Sequence, residues 1–74
     1  MFVVNDYIQR KNNPTDVTFD PKRVHFLILD IYQNTYVKDN EGWSYRLEII
    51  NSMSSKTKGT LSFAVAHKMY FKAH

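Results

Sequence analysis

Apolar and polar residues alternate along two long stretches of this chain. From Trp43 to Met53 the odd positions read Trp43, Tyr45, Leu47, Ile49, Asn51 and Met53, and the even ones Ser44, Arg46, Glu48, Ile50 and Ser52. An apolar side opposite a largely polar one predicts a half-buried strand. Leu61 to Phe71 repeats the pattern, with Leu61, Phe63, Val65, His67, Met69 and Phe71 set against Ser62, Ala64, Ala66, Lys68, Tyr70 and Lys72. The alternation predicts a strand here. The alanines at 64, 66 and 73 make a helix the rival over residues 61–73.

Arg23 to Lys38 is apolar on both sides. Val24, Phe26, Ile28, Tyr32 and Tyr36 share one side with Asp30, and Leu27, Leu29, Ile31 and Val37 share the other. That pattern predicts a central strand covered on both faces. Fully extended it would run about 50 Å, too long for so small a domain, so a bend or bulge is expected near Gln33-Asn34. Phe2 to Gln9 reads as a further strand and Val17 to Phe19 as a short one. Turn residues cluster at Asn12-Asn13-Pro14, Asp20-Pro21, Asp39-Asn40-Glu41-Gly42 and Ser54 to Gly59. Proline fixes φ, glycine tolerates positive φ, and Asn or Asp bonds nearby backbone. The third cluster suits a hairpin on a type I turn.

These elements predict an all-β fold, or α+β if residues 61–73 are helical. The architecture is a small antiparallel meander of four to five strands. Its apolar face must be covered, either by curling into a small barrel or by dimerisation.

At 74 residues the chain is read as a single domain over residues 1–74. So short a chain buries roughly 60% of the surface its unfolded form exposes, which leaves it marginally stable. With no cysteine, neither a disulfide nor a thiolate zinc site is available. A second subunit is the remaining means of stabilisation, so a homodimer is expected. The start Met1-Phe2-Val3-Val4 lacks a basic flank and is broken by Asn5 and Asp6, a poor signal peptide. The longest wholly apolar run, Phe26 to Leu29, is too short to span a bilayer. The expectation is a cytoplasmic protein without a membrane partner.

Charge is unevenly spread. Arg10, Lys11, Lys22 and Arg23 are balanced by Asp6, Asp16, Asp20 and Asp30, whereas no carboxylate follows Glu48. The C-terminal third is therefore basic, which favours an anionic partner. No catalytic constellation accompanies it. His25, His67 and His74 are dispersed, and His67 reads as a histidine at the edge of the core with one nitrogen bonded. The carboxylates show no acid–base pairing, and most sit in turns. Asp30 lies among apolar residues, so its end of the strand is exposed or it pairs with Arg46 or a lysine. Lys56-Thr57-Lys58-Gly59-Thr60 lacks the first glycine of a phosphate loop, and its lysines precede the glycine. The sequence therefore implies no enzyme, no cofactor, no metal and no small-molecule substrate.

Two binding readings remain. The first is a stoichiometric protein binder, such as an inhibitor, adaptor or antitoxin-like factor. A chain that reads as a complete small open reading frame fits such a role in a compact, phage-type genome. The aromatic residues support it, with Tyr32, Tyr36 and Trp43 as anchors at an interface. The alternative is single-stranded RNA or DNA, bound through the basic C-terminal strand. Lys68, Tyr70 and Lys72 would share one side of that strand, Lys56 and Lys58 would project from the loop before it, and Arg46 would extend the patch. Cations on phosphates and an aromatic ring on a base are what such a surface uses.

Overall fold

The computed structural model describes residues 1–33, 42–51 and 56–73. Five strands form one antiparallel sheet: β1 (Tyr7–Arg10), β2 (His25–Gln33), β3 (Trp43–Ile50), β4 (Lys56–Ser62) and β5 (Tyr70–Lys72). A single short helix, α1 (Phe63–Met69), separates β4 from β5. The strand order is β4-β3-β2-β1-β5, so the first four strands form the expected meander and the fifth returns beside β1. β4 and β5 are the two edges, and the sheet does not close into a barrel. The turn expected at Asp39-Asn40-Glu41-Gly42 lies outside the described residues, apart from Gly42.

The strand expected over Leu61–Phe71 is broken by α1. Its start is local chemistry: the Ser62 backbone is extended, and its hydroxyl accepts from the Val65 N–H at 3.4 Å. Two alanines then favour helix, and His67 and Lys68 place positive charge in its last turn. Phe63, Ala66 and His67 recur at helical spacing and face the sheet, while Val65, which the alternation placed inside, is 45% exposed. The fully buried Ala66 has a side chain small enough for close approach to the strands. Thus α1 covers part of the apolar face that the sequence left open.

The bulge also falls elsewhere than expected. Ile28 pairs with Leu47 and Asp30 with Arg46, so Leu29 is the extra residue and the register shifts there. Before it, Phe26 and Ile28 point to the α1 side. After it, Ile31 does, opposite the buried Tyr45, and Asp30 and Tyr32 turn to the other face. Asp30 is exposed, and its carboxylate accepts from the Ile31 N–H at 2.8 Å. It therefore needs no buried counter-charge. Arg46 lies opposite in register but forms no ion pair with it; its guanidinium sits 5.2 Å from the centroid of the Tyr32 ring.

The N-terminal strand is shorter than expected, because Val3 to Asp6 forms a turn with Asn5 at φ 77°. Asparagine is among the few residues that enter this left-handed region readily. The turn brings Phe2 into a core with Ile8, Ile28, Tyr45, Leu47 and Ala66. Val17 to Phe19 is not a strand. It belongs to the long connection between β1 and β2, which covers the opposite face of the sheet at the β1 end. There Gln9, 0% exposed, clamps the connection in place: its side-chain oxygen accepts from the Asp20 N–H at 2.8 Å, and its amide donates to the Asp20 carbonyl at 2.8 Å and the Val24 carbonyl at 3.3 Å.

Candidate functional site

The clamp at Gln9 determines where two pairs of cations stand. Arg10 and Lys11 follow it at the end of β1, and Lys22 and Arg23 close the connection just before β2. The Arg23 guanidinium donates to the Arg10 carbonyl at 3.1 Å, which fixes it beside the strand end. The Lys11 N–H donates to the Met69 carbonyl at 2.8 Å and brings the last turn of α1, with Lys68, to the same place. Cations from three separate segments therefore meet around a recess of about 520 Å³, lined by Arg10, Lys11, Arg23, Lys68 and Met69 with Asn12 to Pro14 at its lip. No carboxylate lines it.

A second recess of about 500 Å³ adjoins it and shares Arg10 and Arg23. It adds Lys22 and an apolar wall of Val24, Phe26 and Tyr70. The Phe26 and Tyr70 rings meet edge to face at 5.5 Å, which holds the tyrosine ring in position. The result is a cleft with cations along its length and an aromatic wall in one half.

The acids of this segment are engaged in shaping its backbone. Asp16 accepts from the Thr18 N–H at 3.1 Å and the Asn12 amide at 3.2 Å. The Thr18 backbone bond first, then the Asn12 amide, hold its carboxyl below the ordinary 3.8, with a smaller contribution from Arg23. Asp20 accepts from the Lys22 N–H at 2.9 Å. Asn13 accepts from the Thr15 and Asp16 N–H groups, both at 3.0 Å. Each acid is spent on a turn, and the basic pairs face the cleft.

The basic residues expected to act together are divided by the topology. Lys56 and Lys58 belong to β4, on the edge opposite β5. Lys56 contacts Glu48 at 3.9 Å, and Lys58 pairs with Glu48 in register. Arg46 is on β3 over Tyr32, among mixed charges. Lys72 is on β5, 3.5 Å from the buried carboxylate of Asp6. Only Lys68 and Tyr70 reach the cleft. Lys68 does so from a helix and not from a strand, and Tyr70 is half-buried against Phe26. Sequence reasoning missed Arg10, Lys11, Lys22 and Arg23. The available signal was the placement of both basic dipeptides at the ends of one turn-rich connection.

The expected interface residues are divided as well. Tyr32 and Trp43 lie on opposite faces of the sheet, and Tyr36 lies outside the described residues. Trp43 is 38% exposed and lines a shallower groove of about 300 Å³ with Met1, Ile31 and Phe63. Behind that groove Tyr45 stacks on Phe63 at 4.3 Å. The Tyr45 hydroxyl accepts from the Phe2 N–H at 3.0 Å and is 2.8 Å from His67 Nε2. Burial holds the Tyr45 phenol above its ordinary value and the His67 imidazole below its own, with the N-terminal amine adding to the latter effect. His67 thus bonds at the edge of the core as expected, from the helix.

Among the described residues no helix is long and apolar enough to cross a membrane, and no three His, Asp or Glu side chains converge. The chain matches no protein-family model, no curated protein and no solved structure.

Proposed function

We propose that this chain is a non-enzymatic binding protein that acts stoichiometrically, and that its ligand is a single-stranded nucleic acid lying along the basic cleft. The observation that carries the reading is the pair of adjoining recesses sharing Arg10 and Arg23, one ringed by cations and the other walled by Tyr70 and Phe26. Phosphates on the cations and a base on the aromatic wall are the two contacts single strands use, with stacking contributing about 1–3 kcal/mol per base. A duplex keeps its bases paired and offers none to Tyr70.

The test is fluorescence anisotropy with labelled single-stranded RNA, single-stranded DNA and duplex DNA at several salt concentrations. Single strands are expected to bind more tightly than duplex, with affinity falling as salt rises. Arg10→Ala with Lys68→Ala should weaken binding at every sequence and flatten the salt slope by about two. Lys56→Ala with Lys58→Ala should leave it unchanged. Absence of binding at low salt would refute the reading.

A second reading, a stoichiometric protein partner or a second copy of this chain, is favoured by the exposure of Trp43 on the groove with Met1, Ile31 and Phe63. Exposed tryptophan at a groove is a frequent interface anchor. Sedimentation of the wild type against Trp43→Ala tests the second copy, and a monomer at all concentrations would remove it.

A further inference from the structure

The two halves of the cleft differ in charge density, and the difference bears on which part of a strand each half receives. Arg10, Lys11, Arg23 and Lys68 surround the recess bounded by the Asn12–Pro14 lip. The adjoining recess has the aromatic wall and shares two of those cations. An internal phosphodiester carries a single negative charge on two free oxygens. A phosphate monoester carries about −1.5 to −2 at neutral pH on three acceptor oxygens. Four cations from three segments, with no carboxylate between them, match the second species better than the first. Arg23 is the best placed of them. Its guanidinium is already held by the Arg10 carbonyl at 3.1 Å, so its remaining donors are oriented in advance. A volume of about 520 Å³ also exceeds what a bare phosphate fills and accommodates the sugar attached to it.

We propose that this recess holds the terminal phosphate monoester of the bound strand, with the first base against Tyr70 and Phe26 in the adjoining recess. This rests on the nucleic-acid reading above and makes the protein a reader of strand ends. A free nucleoside monophosphate presents the same chemistry, so the experiment must separate the two.

One oligonucleotide sequence is prepared with a 5′-phosphate, with a 3′-phosphate and with hydroxyls at both ends, and affinities are measured by anisotropy at physiological salt. One phosphorylated end is expected to bind at least about tenfold more tightly than the hydroxyl form. The preference should decline as pH falls through about 6, where the monoester loses its second charge. Lys68→Gln with Lys11→Gln, both near the surface, should abolish the preference while circular dichroism shows an unchanged fold. Equal affinity for all three ends would overturn the monoester site and leave the nucleic-acid reading standing. No binding by any of them would overturn both. Persistence of the preference in the double variant would overturn its location. A nucleoside monophosphate that binds as tightly as the best oligonucleotide would keep the monoester site and overturn the strand.

Discussion

Gln9 is the residue whose replacement should undo most of this arrangement. It is fully buried, and all three of its hydrogen bonds go to the backbone of the β1–β2 connection. Gln9→Leu keeps the approximate volume and removes every one of them. Each bond contributes about 0.5–1.5 kcal/mol net, and a stranded backbone group costs about 1–3 kcal/mol if water cannot reach it. The Asp20 N–H and carbonyl are half-buried, so partial rehydration offsets some of that cost, and a loss of about 2–4 kcal/mol is expected. At roughly 0.05–0.15 kcal/mol per residue, the whole chain has only about 4–11 kcal/mol to lose. Urea unfolding should show the change as a midpoint lower by about 2–3 M, for a slope near 1 kcal/mol/M. Gln9→Glu adds a sharper test. Ionised, the new carboxylate would still accept from the Asp20 N–H, but its other oxygen would face the carbonyls of Asp20 and Val24. Its folded pKa is therefore raised above the ordinary value of about 4.3. Measured relative to wild type, this variant should be most stable below about pH 4 and lose stability as pH rises through the raised folded value. A midpoint for Gln9→Leu within about 0.3 M of wild type would refute the clamp, because it would mean those bonds exchange for water at no cost.

Other perturbations follow from the same structure. Tyr45→Phe removes the acceptor for the Phe2 N–H and the partner of His67, and should cost about 1–3 kcal/mol in urea unfolding. Because the folded Tyr45 phenol is raised above 10.0, its contribution to stability should be complete below that pH and be lost as pH rises beyond it, which an alkaline unfolding titration reads. The His67 imidazole is lowered below 6.5, so NMR should place its titration under that value, and its contribution should be present above pH 6.5 and decline as pH falls through the folded value. At Asn5, with φ 77°, Gly should be tolerated within about 0.5 kcal/mol, whereas Val should cost about 1–2 kcal/mol by thermal melting.

Much of the sheet was legible because its cause is local. Alternation in Trp43–Ile50 reflects a strand with one wet face, and the structure places Tyr45 and Leu47 inside and Arg46 outside. The helix was harder to read. Phe63, Ala66 and His67 fit a period of 3.6, but Phe63, Val65 and His67 fit a period of two as well, and over seven residues the two templates share most of their matches. Ser62 decided between them as a helix cap. A serine before an apolar run with two alanines was the available sign. The bulge at Leu29 was not readable, because a stretch apolar on both sides looks the same in either register.

The cleft was hidden for a different reason. Summing charge over the first half of the chain gives zero and suggests that nothing there attracts an anion. The sum treats every carboxylate as available to neutralise a nearby cation. Asp16 and Asp20 are instead committed to the N–H groups of Thr18 and Lys22, and Asp6 to those of the Val3 turn and to Lys72. Turn-forming acids sit close to basic residues in sequence and still leave them free in space. Conversely, the C-terminal lysines are conspicuous in the sequence and dispersed by the fold, since β4 and β5 end up on opposite edges. Lysines on an exposed edge such as β4 also discourage strand pairing with other chains, a sufficient reason for Lys56 and Lys58 to be there. The informative quantity is therefore the number of cations that converge on one recess after the acids are assigned to their turns, and that number is greatest where β1, the β1–β2 connection and the end of α1 meet.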